Sequence, residues 1–152
     1  MLAVVQRVSF VRCVVEDKEV AQIKKGIVAL LAIGKKDELK DAIWMARKMV
    51  NLRIFEDQNG KMNLSLIDVR GEILVVPQFT LYGDCRKGYR PNFSLVANPE
   101  KANELFCKVL SLLEEYPVRV KRGVFGAKMR VEITNEGPVT IIISSDKGKN
   151  MG

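Results

Sequence analysis

Two periods of hydrophobic spacing take turns along the chain. Residues 2–7 and 10–15 are β-rich runs broken near Val8 and Ser9. A polar turn follows at Glu16, Asp17 and Lys18, after which Val20, Gln22 and Lys24 alternate with Ala21 and Ile23. The two-residue period predicts a hairpin of half-exposed strands. Residues 27–33 are almost wholly apolar over one strand length, which predicts a central strand buried on both faces. The period then changes. From Asp37, a good helix N-cap, Leu39, Ala42, Ile43, Ala46, Met49 and Val50 follow the three-and-four spacing of one helical face. Trp44 and Arg47 fall off that stripe, so Trp44 either widens the buried face or covers another part of the surface.

Residues 51–55 lead into turn formers at 56–61, where Asn59-Gly60 supplies the positive-φ pair of a tight turn. Residues 62–68 read as a short helical or irregular link, and Gly71 precedes a strand at 73–76. A second helix starts with Asn98 at the N-cap and Pro99 in the first helical position, where its missing N–H costs nothing. Ala102, Leu105, Phe106, Val109, Leu112 and Leu113 form its apolar face, and Pro117 stops it. Residues 118–121 and 129–134 alternate, 123–127 form a turn-rich loop, and 139–144 make a last apolar strand. No repeat, low-complexity segment or linker divides the chain. The pattern predicts a single α+β domain at 1–145: a mostly antiparallel, barrel-like sheet with two main helices covering a face of it, followed by a polar C-terminal tail at 146–152.

Composition narrows the function classes. A chain of 152 residues suits one core, and no apolar run approaches the ~20 residues that span a membrane. The N-terminal MLAVVQRVSF lacks an export pattern, so the cytoplasm is the expected compartment. Cys13, Cys85 and Cys107 are odd in number and show no CxxC spacing, which argues against a disulfide framework or a zinc site; no metal or cofactor is expected. There is no histidine, which removes Ser-His-Asp and Cys-His catalysis. Lys plus Arg exceeds Asp plus Glu by 25 − 18 = 7, a balance that suits a polyanionic partner without requiring one.

The candidate chemistry concentrates in residues 73–93, ILVVPQFTLYGDCRKGYRPNF. If the strand continues, Gln78 and Thr80 project from one face, and Phe79 and Leu81 from the other. The polar pair then lines a site or simply meets water. Thr80 as a nucleophile would need a base, whereas backbone donors at the strand end need none. Arg86, Lys87 and Arg90, set among Gly83, Gly88 and Pro91 with Tyr82, Tyr89 and Phe93, suit phosphate and base contacts, or form a solvated loop. Lys121, Arg122, Lys128 and Arg130 make a second basic group around Phe125 and Gly126. Gly137-Pro138, just before the last strand, is a plain turn or a stiff element that presents carbonyl oxygens to an amine.

Pro77-Gln78-Phe79-Thr80-Leu81, Lys87-Gly88-Tyr89-Arg90-Pro91, Phe125-Gly126-Ala127-Lys128-Met129 and Gly137-Pro138-Val139-Thr140, in this order, resemble the D-aminoacyl-tRNA deacylases. Asn51-Leu52-Arg53-Ile54-Phe55 and Gly60-Lys61-Met62-Asn63 extend the likeness, which runs from AVVQRVS to Thr140. The resemblance implies a homodimer with active sites at the subunit interface, the QFTL segment coming from one subunit and a cis Gly-Pro element from the other. It implies hydrolysis of D-aminoacyl-tRNA, with glycyl-tRNA also accepted, as chiral proofreading. Gln78, Phe79 and Thr80 would be catalytic, through backbone N–H groups and the substrate's 2′-hydroxyl, with Thr80 as nucleophile the alternative. Gly137 and Pro138 would bind the substrate's amine, Phe125 and Met129 its terminal adenosine, and Arg86, Lys87 and Arg90 the tRNA. Two departures stand out: Pro77 where the family has Ser, and Glu136 where a smaller or shorter residue is common. A relaxed deacylase and a non-catalytic RNA-binding module are the competing readings.

Overall fold

The computed structural model describes residues 1–146, so all of the expected tail except Asp146 lies outside the described residues. The first strand, β1 (Leu2–Val15), is one continuous element. The break at Val8 and Ser9 is an irregularity in its pairing to a later strand rather than an end. Glu16 and Asp17 turn with φ of 49° and 63° into β2 (Lys18–Ile23), the positive-φ geometry that suits a tight hairpin. β2 pairs with the second half of β1, and β3 (Gly26–Ala32) with the first half, where Leu2 lies opposite Ala32 and Val8 opposite Gly26.

β6 (Glu72–Pro77) joins β3 in parallel, and β7 (Arg119–Arg122) joins β6 in parallel. β8 (Arg130–Ser144) takes the other edge of β1, running antiparallel from Arg130 opposite Val14 to Ser144 opposite Leu2. The sheet is therefore mixed, antiparallel around β1 and parallel across β3, β6 and β7. Each parallel step needs a crossover, and the two helices supply them: α1 (Leu39–Asn51) lies between β3 and β6, and α2 (Pro99–Leu113) between β6 and β7.

The α2 N-terminus is as the sequence predicts: Asn98 Oδ1 accepts the Lys101 N–H at 2.9 Å, with Pro99 in the first turn. The α1 start is not. Its N-cap is Glu38, reciprocally bonded with Asp41, while the carboxylate of Asp37 turns inward to the Gly34 N–H at 2.6 Å and the Met1 ammonium at 2.5 Å. The buried α1 face is Ala42, Met45, Ala46, Met49 and Val50, rotated from the expected stripe so that Leu39 and Ile43 stay exposed. Trp44 packs partly against the core with the Lys48 ammonium 5.2 Å above its ring.

The expected helical or irregular link at 62–68 holds only for its second part, where the Val69 N–H bonds Ser65 O at 3.1 Å in a turn; its first three residues are a strand. β4 (Phe55–Glu56) and β5 (Met62–Leu64) pair outside the main sheet, and of their turn residues only Gly60 has a positive φ, 74°. Both helices share one core with the sheet, in which Val5, Ile27, Ile73, Met45, Phe106 and Leu113 are buried. The opposite sheet face carries a smaller cluster around Val11, Val28 and Leu74. Among the described residues no helix is long and apolar enough to cross a membrane.

Candidate functional site at the strand ends

Three parallel strands end near one another, β3 at Ala32, β6 at Pro77 and β7 two residues short of it at Arg122, a place where sheets with crossover helices leave a crevice. Pro77 sits there without costing a ladder bond. The Gln78 N–H bonds Leu31 O at 2.8 Å, so the neighbouring position faces β7, whose pairing has already ended at Val75 opposite Arg122.

Past Pro77 the chain leaves the sheet. Gln78 has φ −142° and ψ 70°, and Phe79–Tyr82 form a 3₁₀ turn. The expected strand alternation of Gln78 and Thr80 against Phe79 and Leu81 is therefore wrong. The polar pair still meets, because the Gln78 side-chain amide donates to Thr80 Oγ1 across the turn. The first bond of the turn runs from the Leu81 N–H to Gln78 O at 3.2 Å. The N–H groups of Phe79 and Thr80 thus precede the first intraturn bond, and both residues are exposed. A pair of backbone donors left over at the start of a turn is what a developing oxyanion requires. The Phe79 ring meets Phe93 edge-on at 5.3 Å between centroids.

Beside Pro77 lies the loop 123–129. Gly123 donates its N–H to Val75 O at 2.9 Å, and a Cβ there would stand 3.0 Å from Met129 Sδ and 3.4 Å from Pro77 Cδ. Glycine is what lets the loop lie against the strand end. Met129 Sδ accepts the Val124 N–H at 3.3 Å and the Cys13 thiol at 3.4 Å. Burial pushes the Cys13 thiol pKa up, so it stays protonated. Phe125 leans the other way, 6.0 Å from Phe106 of α2. Of the two residues singled out in this loop, Met129 packs beside Gly123 and Cys13 and Phe125 lines the helix side.

In the basic loop, Asp84 and Asn92 exchange backbone bonds at 2.8 and 2.9 Å and hold its base. The Arg86 guanidinium is forked onto Asp84, 2.6 Å at Nη2, which raises its pKa through that hydrogen bond and charge. Lys87, Tyr89 and Arg90 project into solvent.

Gly137-Pro138 does not precede the last strand; it interrupts it. β8 leaves its ladder between Asn135, opposite Val8, and Thr140, opposite Gln6, and the excursion contains a cis Gly137-Pro138 bond. Gly137 has φ +124°, and a Cβ on it would fall 2.7 Å from Arg7 Nη2, so only glycine fits. Side chains clamp the excursion on both sides. Arg7 Nε donates to Glu136 O at 3.0 Å while Nη1 holds Ile54 O at 2.8 Å. Asn135 Oδ1 accepts the Val139 N–H at 3.1 Å, and its amide donates to Thr140 Oγ1 at 3.0 Å. Sequence reasoning misses Arg7 as a site residue; it shows there only as one of two cations, with Arg12, in a mainly apolar strand.

The two candidate halves lie level with opposite ends of the β3 and β6 strands. The Gly137-Pro138 excursion is level with Arg7, and hence with Ile27 and Ile73. The 3₁₀ turn starts beyond Pro77. Five residues along the strand and three strand spacings across it put the halves on the order of 20 Å apart. Within one chain they do not form a common pocket.

A family model described as D-Tyr-tRNA(Tyr) deacylase matches residues 4–144. The chain is 55% identical over 147 residues to the D-aminoacyl-tRNA deacylase of Fervidobacterium nodosum, covering 97% of this chain and 99% of that one. It is 55% identical over 148 residues to the protein of the same name in Petrotoga mobilis, with the same coverage. Among solved structures, the c-Myc DNA unwinding element binding protein superposes with a TM-score of 0.91 at 42% identity, over 95% of this chain and 99% of that one.

Proposed function

Because the chain belongs to the D-Tyr-tRNA(Tyr) deacylase family, we propose that it hydrolyses the ester between a D-amino acid and the terminal ribose of tRNA, in the cytoplasm, at sites each built from two copies of the chain. The observation that carries the two-copy arrangement is the separation of the halves: the backbone donors of the exposed residues Phe79 and Thr80 at one end, and an exposed, clamped Gly137-Pro138 at the other. A homodimer that sets one end against the other makes two equivalent sites.

In each site the N–H groups of Phe79 and Thr80 stabilise the oxyanion formed when water adds to the ester carbonyl. The substrate's own 2′-hydroxyl assists the water, and collapse of the intermediate expels the ribose oxygen. Carbonyls of Gly137 and Pro138 from the second copy accept the substrate's α-ammonium. An L side chain then collides with that backbone, a D side chain points outward, and glycine is accepted. Gln78 and Thr80 shape the turn that aims the donors. The terminal adenosine lies against the loop bearing Phe125 and Met129, and Lys87 and Arg90, with Arg86 set by Asp84, meet phosphate.

Pro77 favours one second reading, a deacylase with relaxed stereospecificity, because no hydroxyl stands at that position beside the ester. Release of D-tyrosine, L-tyrosine and glycine from their charged tRNAs decides the matter. Rapid release of D-tyrosine and glycine with little L-tyrosine is expected. Equal D and L rates would establish the relaxed enzyme, and no release from any substrate would leave an RNA-binding module.

A further inference from the structure

A second cationic surface borders the 3₁₀ turn and adjoins the base of the basic loop, since Asp84 and Arg86 line one of its two depressions. Two depressions share Tyr82, Leu95 and Asp146, itself engaged, and the larger, about 720 Å³, is walled by Lys35, Lys36, Lys40 and Trp44 together with Asp37 and Asp41. The lysine loop is tied to the site's scaffold. The Lys35 N–H bonds Leu95 O at 3.0 Å, and a Cβ on Gly34 would stand 2.9 Å from the hydroxyl of Tyr82, the last residue of the 3₁₀ turn. From this loop the face continues along α1, where Lys40, Trp44, Arg47 and Lys48 are four, seven and eight residues apart and share one side for ~12 Å.

Acidic groups are present but already engaged. Asp37 is bound to the Met1 ammonium and Asp41 to the Glu38 N–H. Glu38 pairs with Lys40 at 3.0 Å, but both are well exposed, and such pairs exchange readily for another partner. Tyr82 stays a neutral phenol, its pKa pushed up by burial and then by Asp37, Asp146 and Asp41. Among the described residues no ion pair involves Lys35, Lys36, Arg47 or Lys48.

We infer that the Lys35-Lys36 loop and the Lys40, Trp44, Arg47 face of α1 dock the base-paired stem of the charged RNA while its unpaired 3′ end reaches the 3₁₀ turn. The inference rests on the deacylase reading. A stem is favoured over single-stranded RNA because the face offers one aromatic ring, half-buried and covered by Lys48, rather than a series of stacking platforms. Cations spaced along a rigid helix suit a phosphate backbone read by shape.

Trp44 is the chain's one tryptophan, so its emission reports this face directly. Titration with an RNA hairpin ending in unpaired CCA should shift and saturate that emission, and the CCA trinucleotide should not. A silent Trp44 at RNA concentrations that saturate activity, or a full response to the trinucleotide, would overturn the inference. In the double variant Lys36→Ala/Arg47→Ala, KM for charged tRNA should rise about tenfold with kcat within about twofold. The slope of log affinity against log salt should fall by about 1–2. Cleavage of a D-aminoacyl ester of adenosine alone should be unchanged. Unaltered KM and salt slope, or equal losses on both substrates, would sink the docking face. Failure to cleave either substrate with an intact Trp44 response would instead strike the deacylase reading and leave the docking face standing.

Discussion

At Gly137 the part proposed to meet the substrate is the backbone, not a side chain. Its φ of +124° and the 2.7 Å approach of Arg7 to a would-be Cβ leave room for glycine alone. Gly137→Ala should therefore reshape the excursion and lower kcat/KM by about 100-fold or more, the scale of a displacement near 1 Å in a positioned site; thermal melting beside the kinetics separates this from unfolding. Thr80 gives the opposite expectation. Its hydroxyl is taken by the Gln78 amide and no histidine exists to activate it, so Thr80→Ala should keep turnover within about tenfold of the parent. A collapse of turnover with intact binding would restore Thr80 as nucleophile. The sequence exposed both motifs but not their geometry. Alternation says where a strand can run, not where it stops, and Pro77 removes a donor only on the side where β7 has already ended. Arg7 was hidden for a related reason: its partners Glu136 and Ile54 are distant in sequence and are touched through carbonyls that no side-chain pattern encodes.

Among the elements, the start of α2 is legible to the residue because its signals are local, while its far end differs: Leu110 rather than Leu112 is buried, and the helix ends at Leu113, before Pro117. Asn98, Pro99 and a three-and-four stripe all act within the helix itself. Asn98→Ala should cost about 1 kcal/mol of stability in denaturant melts, and Phe106→Ala about 3–5 kcal/mol. The start of α1 was misread because a distant group, the Met1 ammonium, claims Asp37 and leaves Glu38 to cap. The direction of each strand pair was likewise not local information; it follows from which helix crosses to which strand. Two turns outside the main sheet make a prediction about acid. Asp57 is held below the ordinary carboxylate pKa chiefly by the Lys61 N–H, and Asp68 chiefly by the Ser65 N–H. With the folded pKa depressed, each contributes stability that is present above pH ~4 and lost as pH falls through the lower, folded value. The melting temperature of Asp57→Asn/Asp68→Asn should therefore fall less than the parent's between pH 5 and pH 3, about the range where free carboxylates protonate. A parent and variant with parallel curves would remove these carboxylates from the acid response.

For the whole molecule, the separated halves give a test that no single variant supplies. Gly137→Ala, and Thr80→Pro, which deletes a donor N–H and reshapes the turn, should each be inactive alone. Mixed under conditions that exchange subunits, half the dimers are hybrids with one intact site of two, so about a quarter of parent activity should return. No return would place the whole site within one chain. The parent should elute in gel filtration at twice the mass of the chain. The sequence carried the two motifs and, through family resemblance, their assignment to two subunits; the sheet register supplies the physical ground, since the excursion is level with Ile73 and the donors lie beyond Pro77. That register also sets how activity depends on quantity. If each site needs two copies, a single chain is inert, so specific activity should fall on dilution, and the rate should approach the square of the chain concentration once dimers are scarce. A newly synthesised copy would begin to proofread only after encountering another.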